Sequence, residues 1–269
     1  MNTHLVRALA TWREWPVALS DVPSIVCELT TGRTNRNYVL QCGREQYRLR
    51  LNATNADALG INREYERTIL DALKPLACTP PILYFNRQSG FALLPYLEGR
   101  VWTAADMRDG RQVERLLELL ARIQSQQVRV PVRDYYQYLE NYLQQLKRAG
   151  YPLTLAEGAA LEKFRSEWQR ALPSWEPTLS HHDLIPDNIL ETDAGLVILD
   201  WEYAALGHPQ IDQRSVELVA AGWSASDQRL CDGDLVDQLI FWLTVLWEKV
   251  NQLVSHLGSG SRVMSQPNK

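Results

Sequence analysis

The spacing of apolar positions changes about a third of the way along the chain. Leu5, Leu9, Trp12 and Trp15 recur at helical intervals before Pro16 intervenes, which predicts a helix within the first 20 residues. Tyr38-Val39-Leu40 and Tyr47-Arg48-Leu49-Arg50-Leu51 read as strands, and Cys42-Gly43-Arg44-Glu45 between them reads as a hairpin turn. A helix is predicted over about 62–73, followed by two strand-like runs at 82–85 and 91–97. From Thr103 the period becomes helical. Thr103-Ala104-Ala105-Asp106 has the form of a capping box, and Val113, Leu116, Leu117, Leu120 and Ile123 make one apolar face. Tyr135, Tyr138, Leu139, Tyr142 and Leu146 keep register over 134–149, where Gly150 ends the helix. Further helices are predicted over 155–172 and 234–257, and the small, polar segment 258–269 is predicted to be disordered. There is no internal repeat. The expected fold is α+β in two lobes: a small antiparallel-sheet lobe over 1–97 and a larger, mostly helical lobe over 98–257. Ligands commonly bind in the cleft between such lobes.

Composition narrows the classes of function. The chain has 269 residues, 45% hydrophobic and 22% charged, with a net charge of −4, so it is an ordinary globular sequence with no basic excess for nucleic acid. The four cysteines, at 27, 42, 78 and 231, have no metal-ligand spacing and read as free thiols of a reducing compartment. The N-terminus lacks a signal-peptide pattern, and the most apolar run, 239–247, is too short to cross a bilayer. The expectation is a cytoplasmic protein without a membrane or nucleic-acid partner. Two biases remain: 23 Arg against 5 Lys, and 9 Trp against 4 Phe.

The densest chemistry lies in residues 178–204, TLSHHDLIPDNILETDAGLVILDWEYA. Two apolar runs flank the turn-like Thr192-Asp193-Ala194-Gly195, so Asn188 and Asp200 should stand at the two open ends of a hairpin, close together. Asp183 precedes Asn188 by five residues in a loop that contains Pro186. A carboxylate and an amide oxygen are hard ligands suited to Mg²⁺, and a second carboxylate kept off the metal can accept a hydroxyl proton. The spacing His181-x-Asp183-x4-Asn188, followed by a strand ending in Asp200, matches the catalytic loop and metal strand of protein kinases.

"HHDLIPDNIL" and "VILDWEYA" resemble the catalytic core of the aminoglycoside phosphotransferase / choline kinase superfamily, the second segment especially as it is seen in bacterial choline and thiamine kinases. The resemblance implies a bilobal, protein-kinase-like fold, ATP and Mg²⁺ as cofactors, Asp183 as base, Asn188 and Asp200 as magnesium ligands, and His181 as support for the loop. Leu29 to Tyr38 resembles the family's phosphate-covering loop with one Gly instead of two, placing Thr34 and Asn35 near phosphate. The family's strand lysine is absent, since no lysine precedes Lys74. Arg50 takes its place, with Arg48 on the same strand face as the alternative. Glu66 is the implied helix partner of Arg50, with Glu64 as competitor. The stretch Leu93-Leu94-Pro95-Tyr96-Leu97-Glu98-Gly99 resembles the hinge that reads adenine, which brings in Leu94, Tyr96 and Leu97. Asp212 is expected to hold the catalytic loop without reacting, and His208 to lie at the surface or in a loop.

No Walker A, HExxH or GxSxG motif occurs, and no A-P-E segment follows Asp200, which favours a small-molecule kinase over a protein kinase. The acceptor should meet Trp201, Glu202, Tyr203 and the aromatic residues Trp223, Phe241, Trp242 and Trp247, where they are not simply core. Aromatic faces attract quaternary ammonium groups, each by ~0.5–2 kcal/mol, so a choline-, ethanolamine- or thiamine-type alcohol is expected. An aminoglycoside or other small-molecule acceptor is the enzymatic alternative, and a kinase-like nucleotide-binding protein without catalysis is the other. Oligomeric state is not legible.

Overall fold

A computed structural model describes residues 3–29, 34–171, 175–223 and 233–260, with the side chains of the last helix described as far as Leu253. Residues 30–33 of the expected phosphate loop, Cys231 and residues 261–269 of the expected tail lie outside the described residues.

Strands β1 (Ser24–Leu29), β2 (Arg36–Cys42), β3 (Glu45–Leu51), β4 (Tyr84–Asn86) and β5 (Phe91–Pro95) form an antiparallel sheet in the order β1-β2-β3-β5-β4. Alternation along a strand gives this sheet two chemically different faces. Tyr38, Leu40, Tyr47, Leu49, Leu51, Phe91 and Leu93 pack on one side with Leu5 and Ala8 of α1 (Thr3–Ala10) and with Trp15. Asn37, Arg48 and Arg50 therefore point to the other side, toward α2 (Arg63–Leu73) and the cleft. The Asn62 Oδ1 caps α2 by accepting the N–H groups of Glu64 and Tyr65.

After β5 the chain crosses into the second lobe at Gly99. A Cβ there would lie 2.5 Å from the Glu191 carbonyl oxygen, too close for any residue but glycine. β6 (Arg100–Val101) then pairs with β8 (Ile189–Thr192), which pairs with β9 (Gly195–Ile198). The Thr103 and Asp106 box does form, with both the N–H and the hydroxyl of Thr103 donating to Asp106 Oδ2. It opens only a short turn, and α3 (Gly110–Gln124) starts afresh on an Asp109 cap because the Asp109 backbone is extended. Asp134 caps α4 (Tyr135–Arg148), and α5 (Leu155–Ala171) and α6 (Ile211–Ala220) follow. The apolar α7 (Leu235–Gly260) packs against α4, α5 and α6 in a core that holds Phe164, Trp168, Leu239, Trp242 and Leu246. The backbone of α7 runs three residues past the predicted end at 257. A second core, with Trp102, Leu116, Leu120, Ile198 and Trp201, lies under the β8–β9 hairpin. The architecture is α+β. Cys27, Cys42 and Cys78 are free thiols, and among the described residues no helix is long and apolar enough to cross a membrane.

Candidate active site

The site is assembled on β7 (Thr178–Ser180), which pairs with β10 (Ala205–Gly207) and delivers His181, His182 and Asp183 in sequence. Asp212, in the first turn of α6 and 1% exposed, accepts the backbone N–H of His181 at 2.7 Å and of His182 at 2.9 Å. One buried carboxylate thus fixes two consecutive peptide groups of the loop. Burial pushes its carboxyl up, and the adjoining His181 and the two N–H groups pull it back. His181 is fully buried. Its Nε2–H donates to the Leu199 carbonyl at 2.8 Å, so its Nδ1 is free to accept the Asp183 N–H at 3.3 Å. Burial lowers its pKa and keeps the ring neutral, as this pairing requires. His182 is held with φ +68°, a costly backbone for a non-glycine residue. Its two N–H···Asp212 and Nδ1···Ser180 contacts, together with a 2.7 Å bond between Nε2 and the Tyr135 hydroxyl, impose that geometry.

Asn188 donates its Nδ2 to the Asp183 carbonyl at 2.8 Å and to Asp183 Oδ2 at 3.0 Å. With the amide nitrogen taken up, the oxygen is the atom left for a hard cation. The hairpin closes through the pair Ile189–Ile198 and the Leu199 N–H to Asn188 carbonyl bond at 2.8 Å, which brings Asp200 beside Asn188. Asp200 also has a left-handed backbone, φ +57°, and its Oδ1 is buried without a hydrogen-bond partner. A buried carboxylate oxygen is costly to leave unsatisfied. The donor set of Asp200 and Asn188 therefore fits Mg²⁺. Asp183, Asn188 and Asp200 all line one cavity of about 690 Å³ between the sheet and the helices.

Toward the sheet that cavity is bounded by Leu29, Thr34, Asn37, Arg48, Pro95, Tyr96 and Leu97. Leu94 is buried with its side chain off the cavity. Arg50 and Glu66 form a buried bidentate pair at 2.5 and 3.0 Å, and Arg50 does not line the cavity because this pair absorbs it. The Glu64 carboxylate faces away from Arg50 and pairs with the exposed Arg87, at 3.6 Å. Arg63 extends the buried network to Glu66 and Glu202, both at 2.9 Å. Asn35 lies in the same network instead of facing the cavity. Its Nδ2 donates to Glu202 at 2.7 Å, and its Oδ1 accepts from Arg63 at 2.7 Å. Burial and the neighbouring Asp200 push the Glu202 carboxyl up, against the pull of Arg63 and Asn35.

The expected acceptor residues divide. Trp201 is 1% exposed, stacks edge-on against His181 and donates its indole N–H to the Ile198 carbonyl, so it is core and not pocket wall. Tyr203, Trp223 and Trp247 line the cavity, whereas Phe241 and Trp242 turn into the helical core. His208 lies in the loop between β10 and α6, but it is buried there and not at the surface. It is 9% exposed, with its ring against Trp168 and Trp175. Three wall residues had no sequence signal strong enough to single them out: Arg133, Tyr138 and Glu248. Arg133 stacks over the nearby Tyr138 at 4.3 Å and donates across the fold to the Tyr203 carbonyl.

A model described as the phosphotransferase enzyme family matches residues 25–248. Protein LicA of Haemophilus influenzae is 29% identical over 196 residues, 67% of this chain and 54% of its own, so the match spans about half of that relative. Among solved structures, the choline kinase LicA from Streptococcus pneumoniae superposes with a TM-score of 0.71 at 18% identity, covering 97% of this chain and 94% of that one. The aminoglycoside phosphotransferase APH(4)-Ia superposes at 0.62 and 13% identity, covering 96% and 93%.

Proposed function

The chain belongs to the phosphotransferase enzyme family, and from that premise we propose that it moves the γ-phosphate of ATP to the hydroxyl of a small cationic alcohol of the choline, ethanolamine or thiamine type. The observation that carries the reading is the convergence of Asp183, Asn188 and Asp200 on one cavity, with Asp183 bonded to Asn188 and Asp200 holding an unpartnered buried oxygen. In this reading Asp183 accepts the acceptor hydroxyl proton and aims its oxygen. Asn188 and Asp200 hold Mg²⁺, which when bound neutralises charge on the transferring phosphate. Asp212 and His181 keep the loop rigid, so that Asp183 needs no rearrangement when substrate arrives. Thr34, Tyr96, Leu97 and the backbone near Leu94 lie where nucleotide would enter, and Arg50 with Glu66 backs that wall.

Aromatic surface supports the cationic acceptor. Tyr203, Trp223 and Trp247 present rings to the cavity and Glu248 adds a carboxylate. The Tyr138 ring is already occupied by Arg133. Glu202 is engaged by Asn35 and Arg63, so few carboxylates remain for a polycation such as an aminoglycoside. The likeness to proteins described as choline kinases points the same way. The test is ATP consumption with Mg²⁺ over choline, ethanolamine, thiamine, homoserine, sugars and aminoglycosides. One of the first three is expected to be turned over, and Asp183→Ala to abolish that turnover while ATP still binds. Wild-type-like turnover in the variant removes Asp183 as base. A preference for aminoglycosides replaces the acceptor, and ATP binding without turnover of any acceptor favours the non-catalytic alternative.

A further inference from the structure

The acceptor end of the cavity holds one charge of the wrong sign for a cationic alcohol. Tyr203, Trp223, Trp247 and Glu248 suit a cation, yet Arg133 stands on the same wall. The backbone around it is fixed. Val132 bridges to Leu206 of β10, the Arg133 N–H donates to the Leu206 carbonyl at 2.8 Å, and Asp134 caps α4. The guanidinium lies 4.3 Å over the Tyr138 ring. One terminal nitrogen donates to the carbonyl of Tyr203, three residues past Asp200, at 2.6 Å. Its Nε is buried with no hydrogen-bond partner, and the side chain makes no ion pair among the described residues. Arg50, Arg63 and Arg165, by contrast, each reach a carboxylate. Burial and the Arg133 charge together hold the His182 ring well below its ordinary pKa, and so neutral. His182 directly precedes Asp183, so Arg133 flanks the loop that carries the base. A half-buried guanidinium that lines a cavity without a counter-ion is suited to a ligand anion, and its free N–H groups match phosphate oxygens.

We propose that Arg133 receives the phosphoryl group on the acceptor side, binding it as it arrives and holding the phosphomonoester product. The assignment rests on the transfer to a cationic alcohol proposed above. In that transfer the bond from the γ-phosphorus to the bridging oxygen breaks, and its electron pair stays with ADP. A new bond forms to the acceptor oxygen, whose proton passes to Asp183. The acceptor enters without an anion and leaves with about two negative charges at neutral pH. Arg133 therefore repels the alcohol slightly and attracts the group it becomes. An interaction made only as the phosphoryl arrives favours kcat over acceptor affinity.

The rival role for Arg133 is to brace the Tyr203 carbonyl and nothing more. Calorimetry without nucleotide separates the two, comparing choline with phosphocholine, ethanolamine with phosphoethanolamine, and thiamine with thiamine monophosphate. For the pair that binds, Arg133→Met is expected to weaken the phosphomonoester by about tenfold or more, the loss of charge-assisted hydrogen bonds. The alcohol is expected to bind as in the wild type or more tightly, because a repelling charge has gone. In steady-state kinetics kcat is expected to fall, with the acceptor KM unchanged or lower. Arg133→Lys is expected to keep most of the phosphomonoester affinity. Arg133→Gln removes the charge but keeps a donor for the Tyr203 carbonyl, and it carries the test if the Met variant does not fold. Equal losses for alcohol and phosphomonoester, or unchanged phosphomonoester affinity, overturn the assignment. Turnover of homoserine that Arg133→Met impairs through a raised KM gives the arginine to a substrate carboxylate and overturns it too. A wild-type protein that binds neither member of any pair overturns the acceptor reading itself, and the assignment with it.

Discussion

At the scale of single residues, Glu66 shows how one buried charge is sustained. Burial pushes its carboxyl up, but Arg50 and Arg63 outweigh burial and hold it at about 2, against an ordinary 4.5. A carboxylate held below its unfolded value stabilises the fold above about pH 4.5, and that contribution is lost as pH falls toward 2. The urea midpoint is therefore expected to drop steeply over this range, and Glu66→Gln to flatten the drop. Glu66→Ala leaves two buried guanidinium groups short of a partner and is expected to cost about 3–5 kcal/mol, read by urea unfolding at pH 7. The residue types of this network were legible in sequence, Arg50 and Glu66 among them. Arg63 stood beside Glu66 in the Asn62-Arg63-x-x-Glu66 pattern, but its bond to Glu202 was not legible, because nothing local shows that an arginine joins two carboxylates 136 positions apart in the chain.

At the scale of elements, the β7–β10 pair supports the loop from His181 to Asp183. Gly207 lies where a Cβ would come 2.3 Å from the Tyr135 hydroxyl and 2.6 Å from His182 Nε2, the two atoms that bond each other at 2.7 Å. Gly207→Ala must part them. It is expected to lower stability by about 1–3 kcal/mol, as overpacking does, and to lower kcat as well, because His182 adjoins Asp183. Thermal unfolding and steady-state kinetics check the two effects, and a stability loss with kcat intact would detach this support from the chemistry. Periodicity located most of the elements, since a strand or helix is a local consequence of where apolar side chains fall. It missed the short turn that precedes α3, where Thr103 and Asp106 form their box but the extended backbone of Asp109 begins the helix anew. A cap pattern marks a place where a helix can begin and cannot say how long it runs.

For the whole molecule, the two lobes are joined behind the cleft as well as at the strand crossing. Arg63 and Asn35 both reach Glu202, two residues beyond Asp200, so the sheet and α2 are bonded to the segment that carries the metal-type oxygen. A ligand that spans this cleft should stabilise both lobes together. ADP with Mg²⁺ at about 100 times its dissociation constant is expected to add about 2.7 kcal/mol, a rise of about 5 °C or more in Tm. Removing Mg²⁺ with a chelator, or replacing Asp200 by Ala, is expected to remove most of that rise. A shift that survives both would take Asp200 and the metal out of nucleotide binding.

By itself the sequence determined the α+β class, the hairpin that brings Asn188 beside Asp200, and the loop from His181 to Asp183. Each of these depends on short-range spacing, and the chain cannot follow that spacing without bringing the groups together. Only the tertiary structure decided which arginine faces the cleft, which tryptophans are wall and which are core, and where Asn35 and Glu202 spend their hydrogen bonds. Those outcomes depend on partners contributed from distant parts of the chain. The tryptophan surplus therefore has no single meaning: Trp223 and Trp247 meet the cavity, while Trp201 and Trp242 fill the cores. An indole satisfies either place, and only packing around it selects one.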